Sequence, residues 1–257
     1  MRPWPADDGA LVRLRVPGGE LAAATLDGLA EVAATFGDGD LHLTSRANLQ
    51  LRGVEHGEPF LRAVEALGLL PSRAHDQARN VVVSPLTGRV GGRADLRPVV
   101  AALDALVLAD PRAAGLPGRF LVTLDDGRGD VVGRPTDLGL MALDDATAQL
   151  RLGAGWGDVV PLADAPQALL GLAHRFLDVR GDGVDAPWHV DELATPLAAV
   201  REPDPRTSPR TGPAAGDAVL TAPDGVLSPD HVALATSTGG PVLVTPWHSL
   251  IRTDLLP

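Results

Sequence analysis

The two ends of the chain repeat one order of elements, a strand, a helix and a hairpin, and this repeat limits the fold more than any other feature. Residues 10–16 alternate in the strand manner, with Leu11, Leu14 and Val16 among polar or arginine positions. Pro17-Gly18-Gly19 breaks the run. Leu21, Leu26, Leu29, Val32, Ala33 and Phe36 then recur at helical spacing until Gly37 ends the helix. GDGDLHLTSRANLQLRGV supplies the hairpin, with Leu41 and Leu43 on one strand, Leu49 and Leu51 on the next, and Thr44 to Asn48 as the polar connection. Phe60, Leu61, Val64 and Leu67 make a second helix that closes near Gly68 and Pro71. At the other end, residues 218–220, a helix over residues 229–236, and PVLVTPWHSLI retake the order, and TPWHSLI stands in the place of TSRANLQL. Each copy reads as a ferredoxin-like half, and two copies so far apart predict a pseudo-twofold arrangement rather than a solenoid. The second copy stops without a final helix, which predicts a sheet edge open to a partner.

Between the copies the pattern becomes α/β. VVVSPL reads as a short buried strand, Val99, Val100, Leu103, Leu106 and Val107 as a helix, and FLVTLDDG as a strand ending in a tight turn. Leu169, Leu170, Leu172, Ala173 and Phe176 form the apolar face of a further helix. EPDPRTSPRTGPAAG, rich in proline and small polar residues, reads as a linker. The expected fold class is therefore α+β. It comprises a ferredoxin-like half-domain over residues 1–72, an α/β domain over 73–201, a linker over 202–216 and a partial second half-domain over 217–257.

Composition excludes several functions. The net charge of −11 argues against a general nucleic-acid surface. Within this acidic chain, Arg46, Arg52, Arg62, Arg73, Arg79, Arg89, Arg93 and Arg97 outnumber Glu55, Glu58, Glu65, Asp76 and Asp95, so this stretch is locally positive. No run of about 20 apolar residues marks a membrane helix, and the N-terminus has no secretory apolar segment; a cytoplasmic protein is expected. Cysteine is absent, which removes disulfides, thiolate nucleophiles and cysteine-ligated metal clusters from this stretch of chain.

GDGDLHLTSRANLQLRGV followed by ARNVVVSPLTG resembles the signature of nitrite and sulfite reductases, and LPGRFLVTLDDGRGDV, APWHVDEL and TPWHSLI are most similar to precorrin-3B synthase in that superfamily. The resemblance implies a sulfite-reductase-like middle domain and a tetrapyrrole site, for sirohaem or a precorrin. Arg46 and Arg79 would hold the macrocycle's carboxylates, with Arg52 and Asn80 beside them and Arg119 near substrate. Arginine suits that task through bidentate, charge-assisted hydrogen bonds. On residue type alone, Arg46 and Arg79 equally fit ordinary salt bridges at strand ends. Leu121 stands where the reductases carry a second basic residue, which favours a precorrin over sulfite or nitrite. The family also holds a four-iron four-sulfur cluster through cysteines near its C-terminus; with none here, the cluster would come from a separate polypeptide or an extension.

Three functional readings follow. The first is a precorrin-3B synthase-like oxidoreductase of cobalamin biosynthesis, a monooxygenase by resemblance, that is not redox-active through these residues alone. The alternative is a non-catalytic tetrapyrrole binder, and the third a structural remnant. The partners expected are a tetrapyrrole and a cluster-bearing polypeptide or second copy, with no nucleic acid and no membrane. No catalytic residue is assigned and no metal ligand set is expected, because His42, His56, His75, His174, His189, His231 and His248 are scattered; His248, in the second hairpin, is the one weak candidate among them. LDDGRGD reads as a turn with aspartates capping backbone N–H groups ahead of a divalent-ion site. GAGWGD lacks the context of a dinucleotide loop, and Thr44, Ser45 and Ser84 sit in no nucleophile elbow. Arg46→Ala and Arg79→Ala are each expected to weaken ligand binding while leaving folding largely intact.

Overall fold

The computed structural model describes residues 3–6, 9–183, 185–209 and 215–256. The chain divides into two compact units, Met1–Asp76 with Ala214–Pro257, and Gln77–Pro213. The predicted linker over 202–216 runs from the second unit into the first, and its residues 210–214 lie outside the described residues.

The first unit contains β1 (Trp4–Ala6), β2 (Gly9–Leu14), β3 (Glu20–Leu21), α1 (Ala23–Phe36), β4 (Leu41–Leu43), β5 (Leu49–Val54) and α2 (Glu58–Ala66). A second stretch of chain adds β11 (Val219–Thr221), β12 (Val226–Leu227), α5 (Pro229–Thr236), β13 (Val242–Val244) and β14 (Ser249–Arg252). Two sheets result, ordered β1-β2-β5-β4-β12 and β11-β14-β13-β3. Each half thus lends a two-residue strand to the other. β12 pairs with β4 in the first sheet, and β3 pairs with β13 in the second. The half that reads as truncated in the sequence gains its fourth strand this way.

Two equivalent turns deliver the exchanged strands. Pro17–Gly19 and Pro223–Gly225 are short 3-10 turns, with Gly18 at φ 75° and Asp224 at φ 53°. Gly19, at φ 76°, lies so close to the partner sheet that a Cβ would sit 2.4 Å from the Val244 carbonyl oxygen, so only glycine fits. The hairpins match as well. The Thr44 N–H donates to the Asn48 carbonyl at 3.0 Å, and the Thr245 N–H to the Ser249 carbonyl at 2.9 Å.

Helix ends follow local chemistry. The Gly37 N–H donates back to the Ala33 carbonyl and stops α1. Ser228 caps α5 with Pro229 in its first turn, and His231 returns its Nδ1 to the Ser228 N–H at 3.2 Å. Alternation along β2, β4 and β5 buries Val12, Leu14, Leu41, Leu43, Leu49 and Leu51. The core also takes Leu26, Leu29 and Ala33 of α1 and Phe60 and Val64 of α2, with Phe36 meeting Phe60 edge-on at 5.9 Å.

The second unit is a mixed sheet. Its strands are β6 (Val81–Val83), β7 (Val122–Asp125), β8 (Leu138–Ala142), β9 (Thr147–Leu152) and β10 (Gly155–Pro161), in the order β10-β9-β8-β7-β6. β6, β7 and β8 run parallel; β8, β9 and β10 are antiparallel. α3 (Arg97–Ala109) and α4 (Ala165–Arg180) pack together over a core that includes Leu103, Leu124, Leu140, Leu169, Phe120 and Phe176. GAGWGD forms the turn into β10, a hairpin and no strand-to-helix phosphate loop. The chain is a mixed α+β fold with ferredoxin-like halves. Among the described residues no helix is long and apolar enough to cross a membrane.

Candidate functional site

The first sheet has one apolar and one polar face, and its pairing register decides which residues share the polar one. Arg13 stands opposite Gln50, and Gln50 opposite His42, so all three face the same way, with Arg52 two residues beyond Gln50. Arg13 Nε donates to Gln50 Oε1 at 3.3 Å. Arg15, two residues after Arg13, extends this row past the end of β2 beside the hairpin of Arg46, where Asn48 Oδ1 accepts from the Val16 N–H at 2.9 Å.

Arg15 is the unusual member. It is 8% exposed, its Nη1 donates to the Arg13 carbonyl at 3.3 Å, and its Nε is buried without a hydrogen-bond partner. Burial is the main force on its pKa, pushing it down to about 10. Asp76 opposes that effect, and the like charges of Arg13 and Arg46 add to it. Arg46 is half-buried at the hairpin tip, its N–H donating to Thr44 Oγ1 at 3.4 Å.

The expected residues of the second unit have structural partners. Arg79 is buried and grips Asp104 of α3 with Nε and Nη2. Asn80 is buried and donates its amide to the carbonyls of Gln77, Gly118 and Phe120 at 3.1–3.2 Å, latching the turn before β7. Arg119 is exposed, and Leu121 is buried with its N–H donating to Asp137 Oδ2 at 2.8 Å. Of the five expected site residues, Arg46 and Arg52 lie in the first unit, and Arg79, Asn80 and Arg119 in the second.

LDDGRGD closes β7 as an aspartate-capped turn. Asp125 accepts from the N–H groups of Gly127, Gly129, Val131 and Val132 at 2.8–3.0 Å. Asp126, Asp130 and Asp125 bring one carboxylate oxygen each within 4.8 Å of one another. The Arg128 guanidinium lies between two of them, 3.8 Å from Asp126 and 3.6 Å from Asp130. Burial pushes the Asp126 carboxyl up to about 6 and also raises Asp130, whose Oδ1 accepts from Ser84 Oγ at 2.6 Å. An arginine therefore already serves as the cation of this cluster.

Arg13 and Arg15 carry no weight in the motif reading of the sequence. The signal is nevertheless present in LVRLRV, where two arginines at a spacing of two share one face of a strand.

Residues 5–60, which hold Arg13, Arg15, Arg46 and Arg52, match the nitrite/sulfite reductase ferredoxin-like half domain. The ferredoxin–nitrite reductase of Synechococcus elongatus is 34% identical over 127 residues, 46% of this chain and 25% of that protein. The sulfite reductase [NADPH] hemoprotein beta-component of Acidithiobacillus ferrooxidans is 39% identical over 77 residues, 29% of this chain and 14% of that protein. This chain is a relative of the nitrite and sulfite reductases.

The chain spans about a quarter or less of the length of these curated relatives. The Mycobacterium tuberculosis NirA protein superposes with a TM-score of 0.71 over 94% of this chain and 53% of that one; at 20% identity the likeness is one of fold.

Proposed function

We propose that this nitrite/sulfite reductase relative binds a polycarboxylated tetrapyrrole on the arginine-bearing face of its first ferredoxin-like half. The observation that carries the proposal is local charge. Arg13, Arg15 and Arg46 lie near enough to act on one another at the end of β2 and the first hairpin, which gathers three guanidinium groups on one face of the half-domain. Such a gathering suits an anionic ligand whose carboxylates accept charge-assisted hydrogen bonds. Arg46 and Arg52 are the proposed contacts in this unit; Arg79 and Asn80 hold the second unit together, and Arg119 is exposed on that unit.

A tetrapyrrole fits this donor set, whereas a four-iron four-sulfur cluster does not fit these residues, which include no cysteine. A redox reaction would need its cluster from another polypeptide or from a stretch of chain outside these 257 residues. The finer reading is a precorrin-3B synthase-like oxidoreductase of cobalamin biosynthesis. Leu121 favours it, because a buried leucine stands where a second basic residue would meet a small inorganic anion. The cysteine-free composition favours the alternative, a tetrapyrrole binder without turnover.

The test is a titration with uroporphyrin, which carries eight carboxylates, followed by the shift of its Soret band, with its esterified form as the uncharged control. Arg46→Ala is expected to weaken binding by roughly one to two orders of magnitude, the worth of one charged hydrogen bond. Equal binding of acid and ester, or no binding of either, overturns the proposal.

A further inference from the structure

Asp126, just past the end of β7, has no exposed surface, and its Oδ2 is buried without a hydrogen bond. Residues 88–95 close over it. A Cβ on Gly92, at φ 78°, would fall 2.3 Å from that oxygen, so only glycine fits there. The next residue, Arg93, donates its N–H to the Asp126 carbonyl at 2.6 Å. Its side chain then crosses the turn, where a Cβ on Gly127 would meet it at 2.5 Å. The guanidinium ends on the carbonyls of Ala142, Arg206 and Ser208.

Those last two carbonyls belong to a segment that is docked along the second unit. Gln149 donates to the Glu202 carbonyl at 2.9 Å and accepts from the Asp204 N–H at 2.8 Å. Arg206 pairs with Asp144 at 2.7 Å, and Pro209 sits where a Cβ on Gly129 would fall, 2.2 Å away. Arg93 thus joins the cover of Asp126 to a strap of residues 201–209.

We propose that the Gly92–Arg93 loop and this strap form a proton-operated latch, closed while Asp126 is protonated and released together as Asp126 ionises. The latch stands whether or not a tetrapyrrole binds.

The chemistry follows from what surrounds the carboxyl. A neutral acid is tolerated in a closed site with no hydrogen bond to Oδ2, whereas a carboxylate there is costly. Within the turn, Arg128 lies 3.8 Å from Asp126 but also 3.6 Å from Asp130, and it donates to the Val90 carbonyl. Burial lifts the Asp126 carboxyl to about 6; Arg128 opposes that effect, and Asp130 and Asp125 add to it. The remaining charges pair among themselves: Asp144 and Asp204 with Arg206, and Asp95 with Arg97, with Arg89 also acting on Asp95. Opening admits water and returns the carboxyl toward its ordinary 3.8. The closed form therefore holds the proton more tightly. Its advantage is complete below about pH 4 and is lost as pH rises through 6.

The test is limited trypsin digestion of wild type and Asp126→Asn at matched pH, so that the protease's own pH dependence cancels. Cleavage after Arg89 reads the loop, cleavage after Arg206 reads the strap, and cleavage after Arg151, in β9, reads unfolding of the whole unit. The ratio of wild-type to variant rate is expected to rise several-fold between about pH 5 and pH 7.5 after both Arg89 and Arg206, and less after Arg151. In an Arg93→Ala background, cleavage after Arg206 is expected to be fast and the same ratio flat, because the link is already cut. A flat ratio in the native background overturns the latch. A rise after Arg89 alone, an equal rise after Arg151, or a persistent rise after Arg206 without Arg93 overturns it as well.

Discussion

Arg79 and Asp104 form a fork-to-fork pair, Nε to Oδ1 at 2.7 Å and Nη2 to Oδ2 at 2.8 Å, that ties the lead-in to β6 to α3. The Arg79 side chain is 9% exposed and that of Asp104 20%. Asp104→Ala strands a buried guanidinium and is expected to cost about 3 kcal/mol in urea unfolding. Arg79→Ala leaves the more exposed carboxylate and costs less, yet it too destabilises. This changes the expectation that replacing Arg79 would spare folding, because its guanidinium has a partner in the protein. Unfolding midpoints of both variants equal to wild type would show that the pair contributes nothing.

Asp126 gives the protein a pH signature. Burial lifts its carboxyl to about 6 from an ordinary 3.8, so the native state holds a proton that the unfolded chain releases earlier. The group's contribution is complete below about pH 4 and is lost as pH rises through 6. Asp126→Asn removes that dependence. The variant's stability relative to wild type is therefore expected to climb between pH 4 and 7 by on the order of 1–2 kcal/mol. A constant difference in melts across that range would refute it.

Gly19→Ala and Gly39→Ala separate backbone conformation from close approach. Both positions have positive φ, 76° and 94°, but a Cβ at Gly39 meets open space, whereas at Gly19 it meets the Val244 carbonyl oxygen. Gly39→Ala is expected to lose about 1–2 kcal/mol for the left-handed backbone alone. Gly19→Ala is expected to lose clearly more, because β3 must back away from β13. Equal losses in chemical denaturation would mean that the strand exchange tolerates a methyl group.

Arg93 clamps the first part of the linker. Its guanidinium donates to the carbonyls of Ala142, Arg206 and, at 3.0 Å, Ser208. Arg206 is held further by Asp204 and Asp144 at 2.9 and 2.7 Å. Arg93→Ala is expected to speed trypsin cleavage after Arg206 several-fold with little change in global stability. Unchanged digestion kinetics would place the restraint elsewhere.

Local signals made much of this fold readable. The turn at Pro17, the stop at Gly37 and the capping serine ahead of Pro229 each act within a few residues, and α5 falls on the expected residues 229–236. The hairpins at Thr44 and Thr245 were legible because period-two leucine and valine patterns flank a polar tip. The strand exchange was not. β3 and β12 are two residues each, too short to show a period, and their partners lie in the opposite half of the unit. β8, β9 and β10 escaped for a different reason: β8 is buried at every position and β10 is interrupted by glycine and a bulge, so neither alternates cleanly. At the proposed site, Arg46 and Arg52 were singled out by motif, while Arg15 stood only among the arginine positions of an alternating strand. Burial, which decides its chemistry, depends on tertiary neighbours that strand alternation does not specify.

The exchanged strands impose an order on biosynthesis. Glu20 and Leu21 wait for Leu243 and Val242, so one edge of an early-made half stays uncovered while the entire intervening unit is translated. Closing so long a loop is slow in comparison with local helix and hairpin formation. The N-terminal half therefore completes its pairing only once the Val242–Val244 strand has been made.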